Sequence, residues 1–228
     1  MKFKTTLGVL SAALFSTSVN AALVTINFES FTAMANNPGA LVLPTGSAGP
    51  RLSDQLQPTT GAVFSSVGGA SYVAVVDLGP GAHAPSEPNA IGGVGTGSGA
   101  GGVLDYSVPI MVSFWDPSSP ATKAVTDYVS IVGDKIPEAG KILTLTAYGV
   151  NGNFLGAVMK ADSSDGTPLY IDYLTGIHSI TIESDTNTVA FDNLEFEEVT
   201  AVPVPAAVWL FGSGLLGLVA VSRRKTQS

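Results

Sequence analysis

The sequence predicts an all-β protein, an antiparallel β-sandwich of jelly-roll type, as one domain over residues 22–200. Short segments alternate apolar and polar residues, and turn-forming residues separate them at short intervals. The chain of 228 residues contains 26 Gly and 14 Pro, and only 12% of it is charged. This composition favours short strands joined by turns over long surface helices.

The first strands follow from their alternation. Residues 23–29, LVTINFE, place Val24, Ile26 and Phe28 on one face, which predicts a half-buried strand. SYVAVVD and PIMVSFW are rich in β-branched and aromatic residues and are bounded by Gly or Pro, so each predicts a further strand.

The segment KILTLTAYGVNGNFLGAVMK predicts a β-hairpin. Leu143, Leu145 and Ala147 share one face of its first strand, and Asn151-Gly152 supplies residues that tolerate the positive φ of a tight turn. GIHSITIES and TVAFDNLEF predict two closing strands, for about ten strands in all, with no helix expected before Pro205.

Charge and cysteine content exclude several classes of partner and site. Five of the ten basic residues lie at the two ends, which leaves five cations among 18 carboxylates in the middle, a formal charge of −13. Such a field repels phosphate backbones, so no nucleic-acid partner is expected. The chain has no cysteine, so neither disulfides nor thiolate metal sites contribute.

The first 21 residues have the pattern of a secretory signal peptide. A basic start, an apolar middle from Leu7 to Phe15 and a close on small residues predict cleavage between Ala21 and Ala22 by the general secretion machinery. The apolar stretch is too short for comfortable passage through ~30 Å of hydrocarbon. The protein is therefore expected to be exported.

No constellation of residues predicts an enzyme. The two histidines, His83 and His178, lack a G-x-S-x-G nucleophile elbow, and His178 has the pattern of a packed strand residue. A glycosidase needs only two carboxylates, and 18 acidic residues give that idea no specific support. A secreted glycan-active enzyme with two carboxylates stays as an alternative.

Carboxylates beside amide oxygens suggest calcium as the one possible metal. Glu29 ends the first strand, and Asp192 and Asn193 lie in the last strand; these two strands are neighbours in many secreted sandwiches. Glu87 with Asn89 is another candidate pair. Solvated carboxylates at strand ends are the competing interpretation, so calcium is a possible cofactor and no other is expected.

Trp115 is the candidate ligand-binding aromatic residue. It ends an apolar run and precedes DPSSP, which places it near a loop rim where an aromatic ring can contact a carbohydrate. The competing interpretation is that Trp115 packs in the hydrophobic core. A carbohydrate-binding module that recognises extracellular polysaccharide is therefore the leading alternative function, ahead of the enzyme.

The carboxyl terminus, residues 201–228, combines a proline motif, an uncharged stretch and a basic tip. Residues 206–221 carry no charge, and as a helix they would cover ~24 Å, short of the ~30 Å hydrocarbon core. Arg223, Arg224 and Lys225 would stop transfer and hold the end on the cytoplasmic side of the inner membrane. A permanent single-span anchor is the competing interpretation.

The stretch VPVPAAVWLFGSGLLGLVAVSRRK closely resembles the PEP-CTERM sorting signal of Gram-negative bacteria. Order, spacing and terminal position agree over about 24 residues, with Val202, Pro203, Val204 and Pro205 as the sorting motif. Val204 stands where this family usually has Glu. INFESF, PSEPNAIG and VAFDNLEF more loosely resemble the sandwich that precedes such signals.

The resemblance implies a processing partner and a destination. An exosortase-type enzyme would cut near Pro203-Val204-Pro205, after the precursor has been held transiently in the inner membrane. Proteins with this signal are generally exported and associated with exopolysaccharide and biofilm. The resemblance therefore favours a non-enzymatic protein of the cell surface or extracellular matrix.

Overall fold

The computed structural model describes residues 21–31, 33–35, 51–67, 72–78, 86, 88–95, 103–104, 107–133, 141–161, 166–172, 174–185 and 189–202. The first strands and the one short helix are β1 (Leu23–Ile26), β2 (Met34–Ala35), β3 (Arg51–Leu52), α1 (Gln57–Thr60), β4 (Ala62–Ser66), β5 (Tyr72–Asp77), β6 (Asn89–Gly95), β7 (Val103–Leu104) and β8 (Ile110–Asp116). The later strands are β9 (Ser119–Val125), β10 (Val129–Gly133), β11 (Ile142–Tyr148), β12 (Phe154–Ala161), β13 (Thr167–Ile171), β14 (Ser179–Ser184), β15 (Phe191–Glu197) and β16 (Thr200–Ala201).

The strands form two sheets, which confirms the predicted all-β sandwich. The expectation of no helix before Pro205 was wrong at α1, a single turn that begins at Gln57 with Pro58 in its first positions and ends at Thr60, before Gly61. The nine-stranded sheet has the order β13-β10-β15-β6-β5-β2, with β1 on β15, β3 on β5 and β7 on β6. The seven-stranded sheet has the order β12-β11-β14-β8-β9-β16, with β4 also on β8. Pairing between these strands is antiparallel except for β2 with β5, which is parallel.

The core lies between the two sheets and draws on both. The seven-stranded sheet contributes Leu143 and Leu145, and the nine-stranded sheet contributes Ile131 and Phe196, all of them buried. Phe114 of β8 contacts Phe196 with ring centroids 4.9 Å apart, so aromatic packing joins the layers. Because the chain has no cysteine, this apolar contact is the main source of its stability.

The predicted hairpin is present as β11 and β12. Ile142 to Tyr148 pairs with Ala161 to Phe154, and Leu143, Leu145 and Ala147 are buried as their alternation predicts. Gly152 has φ +76°, which is the left-handed conformation that the turn requires at this position. Sequence periodicity and turn chemistry agree here, so the element could be predicted without tertiary information.

Candidate functional site

The first and last long strands meet, which brings the predicted calcium residues together. β1 pairs antiparallel with β15, with Ile26 opposite Leu194. Glu29 lies three residues beyond the end of β1, and Asp192 lies near the start of β15. The charge of Glu29 acts on the Asp192 carboxyl group, although the two residues are far apart in the chain.

Two residues with left-handed backbone flank these carboxylates. Phe28, immediately before Glu29, has φ 60°, and Asn193, immediately after Asp192, has φ 48°. Residues other than glycine adopt this conformation at a cost of about 1–2 kcal/mol. The turn at Phe28 keeps its ring in the core after β1 has ended, and it directs Glu29 towards β6.

Ser86 supplies most of the hydrogen bonds to Asp192. Its backbone N–H donates to Oδ2 at 2.8 Å, and its hydroxyl lies 2.8 and 3.0 Å from the two carboxylate oxygens. The same hydroxyl is 3.0 Å from the carbonyl oxygen of Asn27. One hydroxyl proton can serve only one of these acceptors, so oxygen acceptors outnumber donors around Asp192.

Asn89 holds Glu29 and the turn that carries it. Its backbone N–H donates to Glu29 Oε1 at 2.9 Å, and its buried amide donates to the carbonyl oxygens of Phe28 at 3.2 Å and Phe31 at 3.1 Å. The start of β6 is thereby joined to the end of β1. We call Glu29, Ser86, Asn89 and Asp192 the carboxylate cluster.

Burial dominates the titration of Asp192, which is 0% exposed. Loss of solvation raises the pKa of its carboxyl group, and donation from Ser86 and Asn193 lowers it in part, while the charge of Glu29 raises it again. The net shift is upwards. The ionised carboxylate therefore lacks full compensation from its protein neighbours, a situation that a bound cation would relieve.

The sequence prediction was incomplete at this cluster. It named Glu29, Asp192, Asn193 and Asn89, but it missed Ser86; Glu87 lies outside the described residues. Among the residues that the structure does describe, no three or more Asp, Glu or His side chains gather at one place, so a cation at this cluster would also need backbone or amide oxygen ligands. Ser86 could have been predicted from its position in PSEPNAIG, where it is next to Glu87 and close to Asn89.

Trp115 lies on the outer face of the seven-stranded sheet, the face turned away from the core. Met111, Ser113 and Trp115 alternate along β8 with the buried residues Ile110, Val112 and Phe114. The indole N–H of Trp115 donates to Ser113 Oγ at 3.0 Å, and its ring meets that of His178 edge-on at 5.6 Å. Trp115 is partly exposed.

A row of polar residues leads from Trp115 to a second aromatic ring. Ser113 pairs with Ser179 of β14, and Ser179 pairs with Tyr148 of β11. Strands lie ~4.8 Å apart, so Ser113 and Tyr148 are separated by about 10 Å. We call Trp115, Ser113, Ser179 and Tyr148 the aromatic row.

A second row of the same face contains an unsatisfied hydroxyl. Thr146, Thr181 and Met111 are cross-strand neighbours. Thr181 is buried, and its Oγ1 has no hydrogen-bond partner among the described residues. Buried polar atoms nearly always have a hydrogen-bond partner, so the unsatisfied oxygen of Thr181 is an exception in this sheet.

His178 is a packed residue, as the sequence pattern indicated, and it lies immediately before β14. It is 7% exposed, and its Nδ1 lies 2.9 Å from the carbonyl oxygen of Ala124. Burial lowers the pKa of His178, the Ala124 carbonyl raises it in part, and the positive charge of Lys123 lowers it further. The hydrogen bond between Nδ1 and the Ala124 carbonyl oxygen fixes the orientation of the imidazole ring, which packs against Trp115.

The processing sites fall at or beyond the limits of the described chain. Ala21 and Ala22 are exposed at its start, where the carbonyl oxygen of Ala22 accepts a hydrogen bond from Glu198 N–H at 2.8 Å. Val202 donates its N–H to the carbonyl oxygen of Lys123 at 2.8 Å. The remainder of the sorting motif (Pro203, Val204, Pro205) and the basic tip (Arg223, Arg224, Lys225) lie outside the described residues.

The predicted membrane helix, residues 206–221, also lies outside that part of the chain. Within the described ranges, the structure contains no helix with the length and hydropathy of a membrane span.

Comparison with known proteins found no matching family model and no matching curated protein. Among solved structures, TmCBM61 in complex with β-1,4-galactotriose is 15% identical, with a TM-score of 0.34 over 71% of this chain and 100% of that one. A family 11 carbohydrate-binding module from Clostridium thermocellum, in complex with a β-1,3-1,4-mixed-linked tetrasaccharide, is 15% identical, with a TM-score of 0.32 over 64% and 94%. A DUF4465 family protein from Bacteroides caccae is 13% identical, with a TM-score of 0.34 over 80% and 100%. Identities and TM-scores of this size assign no function to the present chain.

Proposed function

We propose that this chain is an exported, non-enzymatic protein of the cell surface or extracellular matrix, and that its sandwich binds extracellular polysaccharide through the aromatic row. The observation that carries the proposal is the placement of Trp115 and Tyr148 at the two ends of a row of serine hydroxyls. Both residues are partly exposed. Aromatic faces can stack on the apolar faces of sugar rings, while hydroxyl groups between them hydrogen-bond to sugar hydroxyls.

The charge of the protein indicates the kind of polysaccharide. The middle of the chain carries a formal charge of −13, which repels polymers rich in uronic acid or sulfate. A neutral polysaccharide avoids this repulsion. We therefore expect binding to neutral glycans in preference to acidic ones.

The test is a glycan array with the full-length protein, followed by affinity measurement on the strongest neutral glycan. Trp115→Ala should weaken that affinity at least tenfold, a loss of about 1.4 kcal/mol or more. Tyr170→Ala is the matched control, because Tyr170 is an exposed aromatic residue on the other sheet. Equal affinities for wild type and Trp115→Ala would contradict the proposal, and shortening of the bound polymer would favour the glycan-active enzyme instead.

The carboxyl-terminal signal supports a second proposal, which concerns sorting. The Pro-Val-Pro motif, the uncharged stretch 206–221 and the basic tip support release or transfer by an exosortase-type enzyme. Mass spectrometry of the protein recovered from the cell surface should find a mature chain without Trp209 and the residues after it. Recovery of the intact tail from surface material would refute processing at this motif.

We further propose that the carboxylate cluster binds calcium. Calcium takes six to eight oxygen ligands in flexible geometry. Glu29, Asp192 and the carbonyl oxygen of Asn27 are oxygen donors of the required kind, and they exceed the N–H and O–H groups that face them. When bound, the ion would supply positive charge to Asp192 and would join the ends of β1, β6 and β15.

A further inference from the structure

The edge of the seven-stranded sheet at β12 is long, apolar and unpaired. Among the described residues, β12 pairs only with β11, along all of its eight residues but one. Phe154 and Met159 are each 65% exposed, the highest values among the large apolar side chains of the described chain. A free strand edge of this kind can accept another strand through its backbone N–H and C=O groups.

Several other sheet edges in the described structure are protected. β13, at the edge of the nine-stranded sheet, contains Pro168, which has no N–H to donate. The Lys160 ammonium group covers the Pro168 carbonyl oxygen at 2.7 Å and lies 4.7 Å from the Tyr170 ring centroid. At β4, the N–H of Phe64 already donates to the Ser53 carbonyl oxygen at 2.7 Å.

The opposite end of the nine-stranded sheet is closed in another way. β2 and β3, which both pair with β5, have only two residues each. Very short edge strands offer little backbone for pairing. β9, at the other end of the seven-stranded sheet, is covered only at Ala124 and Val125, by β16. Among the described strands, β12 is the edge strand that carries the two most exposed large apolar side chains, Phe154 and Met159.

Charge distinguishes the β11–β12 hairpin from the rest of the molecule. Residues 141–161 contain Lys141 and Lys160 and no acidic residue, in a chain with 18 carboxylates. The self-repulsion of a protein with net charge −8 is therefore low along this hairpin. A second copy of the chain can approach here without bringing carboxylates together.

We propose that two copies of this chain associate through antiparallel pairing of β12 with β12 across a two-fold axis. An antiparallel strand pair is self-complementary, so one surface serves both partners and the contact closes as a dimer. The pairing would extend each seven-stranded sheet into the other and would cover Phe154 and Met159. The aromatic rows of the two copies would then lie on one continuous sheet.

The first test is the mass of the full-length chain in mild detergent, measured by light scattering. Wild type should have twice the mass of the monomer, and Met159→Lys, which places a cation on the exposed apolar surface of each β12, should have the monomer mass. Thr25→Lys, an exposed strand position on the other sheet, should keep the dimer mass. Dimerisation through the apolar tail would persist in Met159→Lys, so a dimer in that variant, or a monomeric wild type, would overturn the proposal.

The second test uses the absence of cysteine from the chain. Ala157→Cys and Met159→Cys add single thiols at exposed positions of β12, and Ala121→Cys adds one at an exposed position of β9. Directly opposed cross-strand side chains have Cβ atoms about 5 Å apart, close enough for a disulfide after small adjustment. Mild oxidation should cross-link at least one β12 variant several-fold faster than Ala121→Cys, whereas equal rates at all three positions would count against the pairing.

Discussion

Asp192 and His178 are two titratable residues that the sandwich buries, and burial disfavours the charged form of each. The pKa of Asp192 is raised and that of His178 is lowered, both mainly through loss of solvation. The native protein therefore binds a proton at Asp192 more readily than the unfolded chain does, and at His178 less readily. Because the native state holds this proton more tightly, the contribution of Asp192 to the free energy of unfolding decreases as the pH rises above its usual pKa of 3.8.

His178 has the opposite effect and acts nearer to neutral pH. Its usual pKa is 6.5, and below that value the unfolded chain takes up a proton that the native state resists. We predict that the free energy of unfolding falls between pH 7.5 and pH 5.5 more steeply in wild type than in His178→Gln. Urea unfolding at the two pH values measures both slopes, and identical slopes would show that His178 does not contribute.

At the scale of elements, two glycines at turns share a backbone conformation and differ in their surroundings. Gly152 in the β11–β12 turn has φ +76°, and a Cβ atom there would meet nothing within 4 Å. Gly61, between α1 and β4, has φ +82°, and a Cβ atom there would strike the backbone oxygen of Trp115 and approach Val199 Cγ2 to 2.8 Å. Gly61 also accepts a hydrogen bond from the Trp115 N–H at 2.8 Å, so it helps to place β8.

This pair separates backbone strain from steric overlap. Gly152→Ala should lower the free energy of unfolding by about 1 kcal/mol, the cost of the left-handed conformation in a residue with a side chain. Gly61→Ala adds overlap with a packed neighbour and should lower it by about 3 kcal/mol. Chemical denaturation of both variants gives the comparison, and a loss at Gly61 no greater than that at Gly152 would contradict the contact with Trp115.

At the scale of the whole molecule, the carboxylate cluster connects segments from the two ends of the described chain. Ser86 and Asp192 are 106 residues apart in sequence, and Asn89 and Glu29 are 60 apart. The chain has no cysteine, so no disulfide supports these long-range contacts. A cation at the cluster would stabilise the native state in proportion to its binding free energy.

We therefore predict a higher melting temperature in calcium than in a chelator. At a hundredfold excess over Kd the gain is about 2.7 kcal/mol, or roughly 5–10 °C for a chain of this size. Asp192→Asn should abolish the difference, and Glu195→Gln, a change on the same strand away from the cluster, should preserve it. An unchanged wild-type melting temperature after chelation would exclude calcium binding at this cluster.

Much of the fold follows from local patterns in the sequence. Alternation marked Leu143, Leu145 and Ala147 as buried, and Asn151-Gly152 marked the turn between β11 and β12. The alternation of Val24, Ile26 and Phe28 was less informative, because β1 ends at Ile26 and Phe28 is buried through a left-handed turn instead. Period-2 patterns report which side chains are apolar, and they do not report where a strand stops.

The sequence by itself determined the all-β class, the hairpin, the acidic charge and the chemistry available at each site, since these depend on residue types and near neighbours. Only the tertiary structure decided that Ser86 reaches Asp192 and that Tyr148 lies in one cross-strand row with Ser113, the hydrogen-bond partner of Trp115. These contacts join residues tens to more than a hundred positions apart. Strand pairing and register set them, and both arise from packing the two sheets around one core rather than from any local pattern.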